Sequence, residues 1–197
     1  ASSSVGNGVA IGRGAATTGT GSVSIGVNSE AGTYGVAIGE GTTNSGSGVT
    51  IGRDATGSNA IGYSADSSGH ASAMAWGTSA VGSAIGCIAI GRAADAGHTG
   101  SICIGAGAAS TDNRQLVIGG NYVSSTHITE VYIGGGVTNA TKRDVTINVT
   151  GGSGTDIGGG DLILAGGKGT GQGDGGSVIF KTAPSMPLSG SSLNGLT

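Results

Sequence analysis

Apolar side chains recur along the first two thirds of the chain in a short phrase, in which two of them flank a small residue and a glycine follows. The residue before each glycine is taken as an anchor, and most anchors lie 13 to 15 residues apart. The ten anchors are Ile11, Ile25, Ile38, Ile51, Ile61, Trp76, Ile90, Ile104, Ile118 and Ile133. Nine of the ten residues two positions before an anchor are apolar, and this spacing predicts a short strand with one buried face.

Each copy also predicts a second short strand. The residue four positions after the anchor is small in the first eight copies, which carry Ala15, Ser29, Thr42, Ala55, Ala65, Ala80, Ala94 and Ala108. A fixed short period is typical of a solenoid, in which each unit buries its face by stacking on its neighbours. We therefore predict an all-β, parallel β-roll over residues 1–135, with coils of about 14 residues that contain two strands and two glycine-rich turns.

The Val and Ile columns are expected to fill the interior of this narrow coil. The chain has 45 Gly but only one Trp, one Phe and four Tyr among its 197 residues. Because glycine loses much backbone entropy on folding, one column of aliphatic side chains is a weak core for such a chain. Several chains should therefore share a core, and we predict a homotrimer, either intertwined or side by side.

The pattern changes at the fifth and sixth copies. Ile61 follows the preceding anchor after only 10 residues, which predicts that its coil has lost most of one turn, and Asn59 occupies the usual apolar position. Met74 and Trp76 then place the bulkiest pair in the Val and Ile positions. A local widening of the roll explains this pair, and a ligand site around Trp76 is the alternative.

After Ile133 the period lengthens. Alternating apolar residues occur at 145–149, 162–164 and 178–180, and glycine-rich stretches separate them. We predict a second, glycine-rich array of short strands over residues 136–182. The last residues, 183–197, contain Pro184 and Pro187 and are expected to form an exit segment.

Two resemblances follow from these segments. SVSIG, GVAIG and CIAIG, each followed by a small-residue strand, resemble the left-handed parallel β-roll of trimeric autotransporter adhesin heads over about residues 5–135. The tail from Thr146 onward is similar to glycine-rich stretches of tailed-bacteriophage tail fibre proteins, where such a stretch often precedes a self-cleaving trimerisation chaperone. An autotransporter would continue into a coiled-coil stalk and a membrane anchor, whereas this chain shows no heptads.

The resemblances imply a structural segment of a phage tail fibre. This trimeric rod would be part of the virion, where it gives reach and attaches to a glycan or protein receptor on the host surface. The alternatives are the head of a bacterial trimeric adhesin at the cell surface and a subunit of a self-assembling extracellular filament. Because the chain begins at Ala1, we expect a processed piece of a longer protein.

Charge and composition argue against other classes of protein. With eight Lys and Arg and a net charge of −3, the chain lacks the basic patch that nucleic-acid binding needs. No apolar run approaches the roughly 20 residues of a membrane helix, so we expect no membrane insertion. No spacing predicts a nucleophile–base pair, so we assign no catalytic residue and no cofactor, and a carboxylate pair for glycan cleavage is the remaining enzymatic alternative.

Three histidines share one phase of the repeat. His70, His98 and His127 each stand six residues before an anchor, and in a trimer they would form three rings. A ring that faces the axis would suit a metal ion, but polar turn residues explain the phase equally well.

The sequence GGSGTD at residues 151–156 matches the start of a calcium-binding nonapeptide, yet Gly158 stands where a hydrophobic residue is needed. We therefore predict no metal site.

The two cysteines are expected to be diagonal neighbours. In-register stacking places Cys103 beside Ala89 and Cys87 beside Ser101. A disulfide usually needs Cα atoms within about 7 Å, so we predict two free thiols that act as small residues.

Two further sets of polar residues stand out. A solvated charged edge is predicted two residues after the anchors, at Arg13, Glu40, Arg53 and Arg92. The glycosylation sequons at Asn139 and Asn148 are expected to be unused.

Overall fold

The computed structural model describes residues 1–3, 6–70, 72–120, 128, 130, 131, 133 and 144–181. The chain divides into two units, Ala1–Val131 and Tyr132–Thr197, and each is described by itself.

The first unit consists of two parallel sheets whose strands alternate along the chain. The short-strand sheet contains β1 (Ser2–Ser3), β3 (Ala16–Thr17), β5 (Glu30–Ala31), β7 (Thr43–Asn44), β9 (Thr56–Gly57), β11 (Asp66–Ser67), β13 (Val81–Gly82) and β15 (Asp95–Ala96). The apolar sheet contains β2 (Val9–Ile11), β4 (Val23–Ile25), β6 (Gly35–Ile38), β8 (Gly48–Ile51), β10 (Asn59–Ile61), β12 (Met74–Trp76), β14 (Ile88–Ile90), β16 (Ile102–Ile104) and β17 (Leu116–Ile118). The unit is thus a parallel β-solenoid of about eight coils.

The register confirms the predicted stacking. Val23 lies beside Val9 and Val36, and Ile25 lies beside Ile11 and Ile38. The repeated phrase therefore forms successive rungs, and the chain passes from one sheet to the other once per coil.

The tenth copy of the repeat lies mostly outside the described residues. Ile133 is exposed and lies outside regular structure, and Val131 before it is exposed as well. The apolar sheet has nine strands within the described residues, and the tenth predicted coil is not tested by them.

The side chains of the apolar sheet point the opposite way from the prediction: the residues expected inside the coil lie outside it. The middle residue of each strand points into the coil, as Ser24, Ala37 and Ala89 do, and these three are completely buried. The flanking Val and Ile residues point outward and are half-buried or exposed. The two sheets are too close for larger residues, and the largest fully buried side chain in the coil is Asn44. The expectation that Val and Ile fill the coil is therefore wrong.

The glycine after each anchor is required by the turn that follows. Gly26 has a φ of 141°, and a Cβ atom at this position would collide with the carbonyl group of Gly39 in the next coil. The equivalent glycines stack on one another in the same way along the solenoid. This backbone approach explains why the phrase always ends in glycine.

The 10-residue coil has lost most of one turn, as predicted. Only Ser58 separates β9 from β10, whereas three or more residues make this connection in the other coils. Interior hydroxyl groups supply hydrogen bonds around the shortened turn. The Thr50 Oγ1 donates to the carbonyl oxygen of Gly57 at 2.5 Å and accepts from the Asn44 Nδ2 at 3.0 Å, while the Ser67 Oγ accepts from the Asn59 amide at 3.0 Å.

Replacing Thr50 with valine is expected to lower the free energy of unfolding by about 1–3 kcal/mol, because it removes both hydrogen bonds of a buried hydroxyl group. Thr43→Val is the matched control, since Thr43 lies on the outer side of β7, and its effect should stay within about 0.5 kcal/mol. Urea unfolding at fixed protein concentration measures both effects. Equal effects of the two substitutions would contradict a structural role of the Thr50 hydroxyl.

The described residues of the second unit, 133 and 144–181, lie in neither helix nor strand. Two of its backbone hydrogen bonds join Gly160 N to Thr150 O at 3.0 Å and Gly176 N to Gly167 O at 2.8 Å. Its apolar side chains are exposed, up to 82% for Phe180. The predicted glycine-rich array is thus not formed by these residues of the single chain, and the predicted exit segment lies outside the described residues.

Within the part of the chain that the structure describes, no helix is long and apolar enough to cross a membrane.

Candidate functional site

The most prominent surface of the first unit is the outer side of the apolar sheet, here called the apolar face. It consists of two columns, each with one residue from every strand of the sheet. The first column contains Val9, Val23, Val36, Val49, Asn59, Met74, Ile88, Ile102 and Leu116, and the second contains Ile11, Ile25, Ile38, Ile51, Ile61, Trp76, Ile90, Ile104 and Ile118. Neighbouring strands lie about 4.8 Å apart, so the face is about 40 Å long.

The apolar face carries most of the large apolar side chains of the first unit. Ile51 in the middle of the face is 37% exposed, and Ile11 near one end is 57% exposed. Full burial of such a side chain is worth about 1.5–3 kcal/mol. An exposed and contiguous apolar surface of this length marks an interaction site.

The interior of the coil does not compensate for the exposed side chains of the apolar face, because it contains only small side chains. Its N-terminal part is rich in hydroxyl groups, and the Oγ atoms of Ser24 and Ser29 are hydrogen-bonded at 2.7 Å. Its C-terminal part is an apolar cluster of alanines and two cysteines between Ala55 and Ala108. Each alanine buries little area, so the hydrophobic stabilisation of the coil itself is small.

Met74 and Trp76 belong to the apolar face. Trp76 lies between Ile61 and Ile90 and is 43% exposed, and the residue that points into the coil is the small and fully buried Ala75. The bulky pair therefore needs no extra interior volume, and the predicted local widening of the roll is wrong. The ligand site around Trp76 remains a hypothesis.

The predicted charged edge is solvated. Arg13, Glu40, Arg53 and Arg92 are all exposed. The guanidinium carbon of Arg53 lies 4.5 Å from the ring centroid of Tyr63, and its Nε lies 3.6 Å from the Asp54 Oδ2. Sequence reasoning missed Tyr63, although it also stands two residues after an anchor.

The histidines make polar contacts in turns. The Nδ1 of the exposed His70 lies 3.0 Å from the Ser72 Oγ, and the Nδ1 of the half-buried His98 lies 3.0 Å from the Ser110 Oγ. His127 and Asn139 lie outside the described residues, whereas Asn148 and the 151–156 segment are exposed. Among the described residues, no group of three or more His, Cys, Asp or Glu is arranged to hold a metal ion.

The cysteines are free and buried, as predicted. Cys103 lies beside Ala89 in the register of β14 and β16. The Cys103 Sγ donates a hydrogen bond to the Asp95 carbonyl oxygen at 3.2 Å. Burial raises the pKa of the Cys103 thiol, and this effect outweighs the hydrogen bonding to Ser110 that would lower it.

Both thiols are expected to resist thiol-specific reagents at neutral pH until the solenoid unfolds, because they are buried and the raised pKa keeps Cys103 protonated. Thr99→Cys, at an exposed turn position, is the control and should react at once. Ellman's reagent with and without denaturant measures the accessible thiols. Rapid reaction of the native cysteines would contradict their interior position.

Asp66 lies in β11 on the outer side of the short-strand sheet. Partial burial would raise its pKa, but hydrogen bonds from Ser68 and from the Thr56 Oγ1, at 3.0 Å, outweigh it and hold the pKa below its ordinary value. The resulting stabilisation is present above the unfolded-state pKa and is lost as the pH falls through the folded-state pKa.

Thr56→Val should therefore raise the pKa of Asp66 toward its ordinary value. Thr43→Val, one coil away on the same side of the sheet, should leave that pKa unchanged. Carboxyl-detected NMR titration measures the pKa in all three proteins, and an identical value in wild type and Thr56→Val would refute the effect of the Thr56 hydroxyl.

Comparisons with known proteins add no family assignment. No protein-family model matches the sequence, and no curated protein shows significant sequence similarity to it. The functional conclusion therefore depends on the β-solenoid, on its apolar face and on the resemblance of the repeated segments.

Proposed function

We propose that the chain is a structural segment of a bacteriophage tail fibre and that it works as a homotrimer. The observation that carries the proposal is the apolar face, which leaves two columns of large side chains uncovered on a coil with an interior of small residues. Association with further copies of the same chain covers both columns. Homo-oligomers with closed cyclic symmetry are the common solution for such a surface.

Three parallel copies suit the shape of the apolar face. The two columns of one strand lie two residues apart, or about 6.6 Å, and form a narrow stripe. When three stripes converge on a common axis, each chain packs one column against each neighbour. All copies then point in the same direction, as a fibre segment requires.

The second unit supports the same assembly. Val145, Ile147 and Val149 alternate along the chain and are exposed, as are Leu162 and Leu164. Strands that pair between chains would bury these side chains and satisfy the backbone hydrogen-bonding groups that the single chain leaves without strand pairing. This interchain pairing is the proposed form of the glycine-rich array over residues 136–182.

The fibre role follows from repetition and from the resemblance of the tail to phage fibre proteins. Stacked coils give reach and stiffness, because each added coil extends the sheets by about 4.8 Å. Attachment to a host glycan or protein receptor is the second part of the proposed role, and its residues remain unassigned.

Two experiments separate a phage fibre from its alternatives. Sequencing of the DNA around the gene should reveal tail-assembly genes and a downstream trimerisation chaperone, whereas a downstream membrane-anchor domain would identify a bacterial adhesin. The purified protein should also compete with the encoding phage for adsorption to its host. Adsorption that is unaffected at saturating protein would limit the chain to a spacer role.

A further inference from the structure

The repetition that builds the apolar face creates a problem for the proposed trimer. Rungs of Val and Ile are nearly identical, and they stack directly whatever the length of the intervening turn. A copy displaced by one coil along the axis would again place Val and Ile rungs against Val and Ile rungs. Most of the face therefore cannot fix the axial register of the chains, meaning the height of one copy relative to the next.

Two adjacent rungs interrupt this uniformity. The rung of β10 carries Asn59 in the first column, and it is the polar exception in that column. The rung of β12 carries Met74 and Trp76, and Trp76 is larger than the isoleucines at the equivalent position of the neighbouring strands. The β10 rung, which is small and partly polar, is thus followed immediately by the bulky β12 rung.

The side chain of Asn59 is held close to its own coil stack. Its Nδ2 donates to the Ala73 carbonyl oxygen at 3.2 Å, in the coil that follows. Its Oδ1 lies against the Gly48 backbone of the preceding coil, 3.1 Å from where a Cβ atom of residue 48 would stand. The amide therefore lies along the sheet, and the Asn59 position offers less apolar volume to a facing chain than a valine or isoleucine does.

We propose that Asn59, Met74 and Trp76 set the axial register between copies of this chain, an inference that rests on the proposed trimer. With the chains at equal height, the β12 rungs of all copies meet in one layer and the β10 rungs meet in the next. A one-coil displacement brings Trp76 to the height of Ile61 or Ile90 of a neighbour and Asn59 to the height of Val49 or Met74. Both layers then combine mismatched volumes, which disfavours the displaced state.

The same principle operates in coiled coils, where one polar residue in an otherwise apolar seam selects the register at a cost in stability. The unusual rungs here coincide with the shortened coil, since Asn59 begins the strand directly after the missing turn. The irregularity of the repeat thus has a role in assembly.

A cross-linking experiment measures the register. Three full-length variants are prepared with Cys87 and Cys103 replaced by alanine: Val23→Cys in the first column, and Ile25→Cys and Ile38→Cys in the second column, each of the last two with an added affinity tag of a different mass. The first column of one chain packs against the second column of its neighbour, so after co-refolding and oxidation chains of equal height join Val23→Cys to Ile25→Cys. Chains displaced by one coil join Val23→Cys to Ile38→Cys instead, and a non-reducing denaturing gel resolves these singly tagged dimers because the tag changes the mass.

Dimers between Val23→Cys and Ile38→Cys should be a minor product with the natural rungs, compared with dimers between Val23→Cys and Ile25→Cys. They should increase about fivefold or more when Asn59→Val, Met74→Val and Trp76→Ile make these rungs uniform. Asn59→Val alone, which keeps the bulky rung, should give a smaller increase. The matched control Ile88→Val, Ile90→Val and Ile102→Val also changes three residues of the apolar face and should leave the products as in the natural chain.

An unchanged share of dimers between Val23→Cys and Ile38→Cys in the triple variant, with trimers still present by light scattering, would overturn the register role alone. Absence of trimers and of any cross-link with the natural rungs would instead reject the proposed trimer, and the register role with it. The two failures are thus distinguishable.

Discussion

Replacing Ile38 and Ile51 with lysine is expected to convert the assembled protein into single chains at micromolar concentration. Both side chains lie in the second column of the apolar face, on adjacent strands, where they pair in register. Lysine removes the apolar contacts and would have to bury two ammonium groups per chain between copies, which costs several kcal/mol. The solenoid backbone should persist, because the substituted positions point away from the coil interior.

Thr43→Lys with Thr56→Lys is the matched control. These residues are paired neighbours on the outer side of the short-strand sheet, and the double substitution adds the same charge. This variant should remain assembled, and sedimentation velocity measures both proteins. If the control dissociated and the Ile38→Lys, Ile51→Lys variant did not, the interface would lie on the short-strand sheet, which would contradict the proposed trimer.

Ala89→Leu is expected to cause the largest loss of stability among interior substitutions. Ala89 is completely buried and lies between Ala75 and Cys103 in the stacked coils. The interior has no room for three further carbon atoms, so the two sheets would have to separate locally. Overpacking of this kind costs about 3 kcal/mol.

The neighbouring substitution Ile90→Leu provides the comparison, because Ile90 points outward and its volume is conserved. Its cost should be below about 1.5 kcal/mol. Chemical unfolding at one fixed protein concentration gives both values. A larger effect of Ile90→Leu than of Ala89→Leu would mean that the isoleucines, rather than the alanines, fill the coil.

The solenoid was predictable from the sequence because stacking depends only on the repeat. The anchors placed Ile25 over Ile38 without any knowledge of side-chain direction, and the coil shortened before Ile61 was visible as a reduced spacing. The hydrogen bonds of Thr50 around that coil were not predictable, because they depend on which hydroxyl groups face inward.

The main error of the sequence interpretation was the choice of which side of each strand faces the interior of the coil. Alternation shows that two sets of residues lie on opposite sides of a strand, but it does not say which side is the interior. The signal was the size of the middle residues, since Ser24, Ala37 and Cys103 are all small enough for a narrow coil. The reversal strengthens the physical case for association, because it leaves the large side chains outside.

In the second unit the alternating sequence pattern and the structure of the single chain differ. Its alternating residues, such as Leu162 and Leu164, favour strands, yet the described residues of one chain contain none.

The molar mass of the native protein tests the shared apolar face most directly. Light scattering coupled to size-exclusion chromatography, over a range of concentrations, should give three times the chain mass of 18.4 kDa. A folded and soluble particle of a single chain mass would contradict it, because the Val and Ile columns would then be stable in water without a partner.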